Sequence, residues 1–132
     1  MILVDSSVLI DVIEGAPEWK HWSAEQLTKH ASAGGLAINA MVYAEVSRAF
    51  ATAKQQNRFL KEASIKVMAI SNEAAFLAAR AHLAYRAAGG SRHATLPDFF
   101  IGAHAQDSAY ALLTRDPVRI RNYFPKVRLI TP

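Results

Sequence analysis

Short apolar runs alternate with helix-forming segments along the whole chain, and that alternation limits the fold more than any other feature of the sequence. Ile2-Leu3-Val4, Leu36-Ala37-Ile38, Ile65-Lys66-Val67-Met68, Tyr110-Ala111-Leu112-Leu113-Thr114 and Val127-Arg128-Leu129-Ile130 read as strands. Between them lie stretches with helix signals. Asp5-Ser6-Ser7 caps a short helix through Val8, Leu9, Val12 and Ile13 that ends at Gly15, and Pro17 opens a second, which brings Trp19, Trp22 and Leu27 together and stops at Gly34-Gly35. Asn39 caps a third that carries Met41, Glu45, Val46 and Phe50, and Phe59-Leu60 belongs to another short helical piece. Ser71 opens a long Ala-rich helix from Asn72 to Ala88, closed by Gly89-Gly90. After a polar loop from Ser91 to Thr95, Pro97 starts a helix with Asp98 in its first turn, and Pro117 begins a last short one. Parallel neighbours need crossover connections, and these lay helices on both faces of the sheet. The expected fold is therefore α/β, a doubly wound three-layer α/β/α sandwich with a central parallel sheet.

With 132 residues, and neither a linker nor a repeat to divide them, the chain is expected to form one domain spanning 1–132. Its 52% hydrophobic content suffices for a core without staples, and it has no cysteine, which excludes disulfides, thiolate zinc sites and thiol nucleophiles together. The start, Met1-Ile2-Leu3-Val4-Asp5, lacks a basic segment or an apolar span, so a cytoplasmic protein outside the membrane is expected. Net charge is +4, and the basic residues gather late: Arg80, Arg86, Arg92, Arg115, Arg119, Arg121, Lys126 and Arg128 accompany only Asp98, Asp107 and Asp116. This balance suits an anionic partner, or a solvated helix face balanced by acids elsewhere.

Ligands of parallel sheets bind beyond the carboxyl ends of the strands. Asp5 follows the first strand and Asp116 the fourth, Asp98 opens a helix, and Glu45 lies about one turn inside the helix after the second strand. Singly, each has a local explanation as a cap, a helix-dipole partner or a solvated acid. Together, next to apolar strands, they would repel one another unless a cation held them charged. All-oxygen ligation selects Mg²⁺ or Mn²⁺, ions that serve phosphate chemistry. The histidines, His21, His30, His82, His93 and His104, form no recognisable ligand set and read as structural or surface residues. Trp19, Trp22 and the Phe99-Phe100 pair read as core or dimer contacts rather than base-stacking platforms.

The segments Ile2-Leu3-Val4-Asp5-Ser6-Ser7-Val8-Leu9-Ile10-Asp11, Asn39 to Val46 around Glu45, Leu96-Pro97-Asp98-Phe99-Phe100-Ile101 and Leu112-Leu113-Thr114-Arg115-Asp116, in this order, resemble the acidic segments of the PIN-domain ribonucleases. Within that family they are similar to the VapC-type toxins of toxin–antitoxin pairs, and the tail from Tyr123-Phe124-Pro125 to Thr131-Pro132 is similar as well. The resemblance implies a homodimeric endoribonuclease that cleaves RNA with Mg²⁺ or Mn²⁺ and is inhibited by a small antitoxin. It assigns Asp5, Glu45 and Asp98 to the metal, directly or through water, with Asp116 completing the site and holding the attacking water. Ser7 and Thr114 would orient carboxylates or waters, or else make local turn or cap hydrogen bonds, and Arg115 would contact substrate phosphate or stand as a solvated surface residue. One departure stands out: many relatives carry an acidic or aromatic residue a few positions beyond the fourth acid, where this chain has Arg119 and Ile120. Two other readings remain at this point. An aspartate-dependent phosphatase of the haloacid-dehalogenase type would want a second aspartate where Ser7 stands, and a catalytically silent RNA- or protein-binding module would keep the fold without the chemistry.

Overall fold

A computed structural model describes residues 1–90 and 96–132, so the polar loop expected from Ser91 to Thr95 lies outside the described residues. Five strands, β1 (Ile2–Val4), β2 (Leu36–Ile38), β3 (Ile65–Val67), β4 (Ala111–Leu113) and β5 (Leu129–Ile130), form one sheet in the order β3-β2-β1-β4-β5. Every pairing is parallel, with Ile2 opposite Leu36 on one side and Ala111 on the other. Helices flank the sheet in an α/β/α sandwich: α1 (Ser6–Glu14), α2 (Lys20–Ala31), α3 (Ala40–Val46), α4 (Ala53–Glu62), α5 (Asn72–Ala87), α6 (Leu96–Asp107) and α7 (Val118–Tyr123). The three central strands are buried along their whole length, which is why they are continuous apolar runs without alternation. At the edge, β3 buries Ile65 and exposes Lys66 and Val67.

The chain runs outward from β1 through β2 to β3, then returns to the opposite side of β1 for β4 and β5. The order therefore reverses between β1 and β4, and their carboxyl ends open a crevice at that switch point. Local chemistry fixes where each helix leaves the sheet. Asp5 caps α1 by accepting from the Ser6 amide, and Gly15 ends that helix in the left-handed conformation at φ 71°. The fully buried Asn39 caps α3, its Oδ1 accepting from the amides of Met41 and Val42.

The second helix begins later than Pro17 would suggest. Pro17 to Trp19 form a turn, in which the Trp19 and Lys20 amides donate to the Ala16 carbonyl, and α2 starts at Lys20 with no side-chain cap.

α6 and α7 approach closely over Gly102. A Cβ at that position would stand 2.4 Å from the Phe124 ring, which is itself buried, with Ile120 behind it. Gly102→Val is therefore expected to destabilise the fold by about 2 kcal/mol, read as a lower denaturation midpoint in urea. An unchanged midpoint would mean that the two helices separate without cost.

Candidate active site

A cavity of about 770 Å³ lies beyond the carboxyl ends of β1 and β4, and its wall includes Asp5, Ser7, Glu45, Asp98, Thr114, Arg115 and Asp116. All four acids singled out in the sequence thus face one space, brought there by four different segments of the chain.

Asp5 is the most constrained of them. Its Oδ1 accepts from the Ser6 amide at 2.8 Å, and its Oδ2 accepts from the hydroxyls of Ser7 at 3.0 Å and Thr114 at 2.7 Å. Thr114 Oγ1 in turn accepts from the Asp116 amide, and Ser7 Oγ from the Arg115 amide at 3.4 Å. Two hydroxyls therefore join the β1 carboxylate to the turn after β4 that carries Asp116. Burial nevertheless pushes the Asp5 carboxyl above its ordinary value of 3.8, against the pull of these donors, and the nearby charge of Asp98 adds to the rise.

Glu45 is raised from 4.5 for the same leading reason, burial, followed by the charges of Asp5 and Asp98. Its Oε1 is buried without a hydrogen-bond partner. These three acids stand within electrostatic reach of one another, whereas Asp116 is more exposed and lies on the cavity rim. Among the described residues, no three acidic or histidine side chains cluster tightly enough to grip an ion directly. A magnesium-type ion keeps several of its waters, so acids spaced in this way fit one that is held partly through water. The orphaned, buried Glu45 oxygen and the raised Asp5 and Glu45 carboxyls fit the same picture, since each lacks the positive charge that would settle it.

The cap of α3 also sets the distance between two of the acidic elements. Asn39 Nδ2 donates to Nδ1 of the buried His104, 3.1 Å away, which ties α3, bearing Glu45, to α6, bearing Asp98. Burial lowers the His104 pKa below 6.5, in keeping with a neutral ring that accepts this bond.

Two arginines line the same space in different states. Arg115 makes a forked pair with Asp11, at 2.6 Å from Nε and 2.9 Å from Nη2, and Trp19 covers its guanidinium at 5.3 Å. Asp11 is 1% exposed and also accepts from Ser23. The sequence reading offered Arg115 to substrate, but the structure engages it with this buried carboxylate. Asp11 had drawn no separate attention in the sequence, yet a charge amid Val8, Leu9, Ile10, Val12 and Ile13 on one short helix signals a buried cation partner. Arg119, noted earlier only as a departure, donates from Nη1 to Asp98 Oδ2 at 2.5 Å and lies over the rings of Tyr85 and Phe99.

With this geometry in place, a comparison with protein-family models identifies the family. The PIN domain model matches residues 2–124, and the chain belongs to the PIN domain family. No curated protein matches it by sequence. The crystal structure of VapBC2 from Rickettsia felis bound to a DNA fragment from their promoter contains a similar chain, with a TM-score of 0.69 and 20% identity over 100% of this chain and 99% of that one. VapBC-1 from nontypeable Haemophilus influenzae gives a TM-score of 0.70 and 15% identity over 99% and 98%. A toxin-antitoxin complex from Klebsiella pneumoniae gives 0.65 and 22% over 100% and 98%. At these identities the likeness is one of fold. No helix among the described residues is long and apolar enough to cross a membrane.

Two measurements follow. Asp5 and Glu45 bind protons more tightly in the folded chain than in the unfolded one. They therefore favour the fold below 3.8 and 4.5, and this contribution is lost as pH rises through their raised native values. Without added metal, Glu45→Gln should melt a few degrees above the parent at pH 7 and converge with it near pH 4; equal midpoints at pH 7 would show that burial of this charge costs nothing. Asp11→Ala should lose about 3 kcal/mol in denaturant titration, because it strands the Arg115 guanidinium. A loss below about 0.5 kcal/mol would place that pair among ordinary surface pairs.

Proposed function

We propose that this chain is a metal-dependent endoribonuclease, the toxin of a toxin–antitoxin pair. The observation that carries the reading is the convergence of Asp5, Glu45 and Asp98 in one cavity at the switch point of a PIN-domain sheet, with Glu45 Oε1 buried and unpartnered there. Asp5, Glu45 and Asp98 would hold Mg²⁺ or Mn²⁺, in part through water, and Asp116 would complete the site. The ion supplies neutralisation of the phosphoryl oxygens and a more acidic water.

The chain's own residues do the rest. Ser7 and Thr114 fix the Asp5 carboxylate, so that its orientation does not depend on the ion. Asp116, at the cavity rim, accepts a hydrogen bond from the water that attacks phosphorus while the bond to the leaving ribose oxygen breaks. The Asn39–His104 tie keeps α3 and α6 in register as charge enters the cavity. RNA is the substrate that the ordered acidic segments imply, and the basic tail suits it. That the solved relatives are toxin–antitoxin complexes supports a small antitoxin partner. We place the protein in the cytoplasm as a homodimer, a single nuclease domain per chain.

The purified chain, free of any inhibitor, should cleave RNA with Mg²⁺ or Mn²⁺ and stop when a chelator is added. Asp5→Asn and Asp98→Asn should fall to background while their circular dichroism stays that of the parent. Cleavage that persists in both variants would remove these acids from the reaction, and equal cleavage of single-stranded DNA would broaden the substrate class.

A further inference from the structure

We infer that Arg119 is the residue that binds RNA phosphate in this cavity, and that Asp98 holds it in reserve until a divalent cation takes the carboxylate. The inference rests on the metal-nuclease reading above and deepens it.

Of the two arginines on the cavity wall among the described residues, Arg115 is committed elsewhere. Both arms of its fork go to Asp11, and withdrawing them would leave a charge buried with only Ser23 to satisfy it. Arg119 is held differently. Its side chain and that of Asp98 are 34% and 38% exposed, and a pair so open to water is weak and exchangeable. A guanidinium and a hard cation both seek the same carboxylate, and the divalent ion carries twice the charge. When Asp98 turns to the ion, the guanidinium stays in the cavity, because the rings of Tyr85 and Phe99 lie at 5.3 and 5.7 Å and give it a shelf. A planar fork released beside the metal-holding acids matches two oxygens of a phosphodiester. Cation and RNA would thus assist each other's binding: the cation frees Arg119, and phosphate rewards its release.

The test compares the parent with Arg119→Gln and Arg119→Lys. Mn²⁺ alone is titrated into metal-free protein by calorimetry, and binding of a nuclease-resistant 2′-O-methyl RNA oligonucleotide is followed by fluorescence anisotropy with and without Mn²⁺. In the parent, Mn²⁺ should strengthen oligonucleotide binding. Arg119→Gln, having lost one internal competitor for Asp98, should bind Mn²⁺ about threefold to tenfold more tightly than the parent. The same variant should bind the oligonucleotide about tenfold more weakly, with no further gain from Mn²⁺. Arg119→Lys, which keeps the charge but not the fork, should fall between the two and guards against a folding defect in the first variant. Equal Mn²⁺ affinity in parent and Arg119→Gln, or unchanged oligonucleotide binding, would overturn the exchange and leave the nuclease reading standing. Absence of Mn²⁺ binding in all three proteins would overturn the metal site itself.

Discussion

The hydrogen bond from Thr114 to Asp5 joins residues 109 positions apart and closes the parallel pairing of β1 with β4. It sits at the one place in the sheet where strand order reverses, and the cavity opens there for that reason. Donors from Ser6, Ser7 and Thr114 compensate part of the cost of burying a carboxylate, yet burial, joined by the charge of Asp98, still pushes the Asp5 carboxyl above its ordinary value. Glu45 and Asp98 arrive on helices from other faces of the fold and add their own charges. The site is therefore a region of stored electrostatic tension, steadied by neutral polar contacts around its edge.

Most of the architecture was legible because the sheet is parallel. Strands buried on both faces become short apolar runs, and the residues that follow them become caps, so Asp5, Asn39 and Ser71 mark helix starts as plainly as Val4 and Ile38 mark strand ends. The same logic puts Asp5 and Asp116 at one edge of the sheet, and Glu45 and Asp98, read from the starts of their helices, line the same cavity. It misjudged the region around Pro17, where the proline's fixed geometry suggested a helix start but the chain makes a turn through Trp19 first. Pairings between distant side chains were out of reach. Nothing local distinguishes Arg115 from Arg119, since both follow β4 within a few residues and both line the cavity. Their difference lies in what α1 and α6 present to them: a wholly buried aspartate in one case and a half-open one in the other. His104 likewise reads only as a structural or surface residue, and its partner Asn39, 65 positions away, is what makes it a strut.

These contrasts divide the polar residues of the cavity by permanence. Asp11, Arg115, Asn39 and His104 are engaged in buried contacts that hold elements together. Asp98 and Arg119 share a contact nearer the surface, and Glu45 keeps one oxygen with no partner at all. Under the proposed function the site would use groups of the second kind to take up an ion and a polyanion, and groups of the first kind to keep the frame fixed during the exchange.

The central position of β1 also governs how the chain matures on the ribosome. β1 is made before the other four strands, yet one of its two neighbours is made only after residue 110, so Leu3 and Val4 wait more than 100 residues for the strand that covers them. Any nascent fragment that ends before Thr114 lacks both the wall opposite Asp5 and the donor that orients it. The pocket around Asp5 is therefore assembled only once the β4 segment has been made.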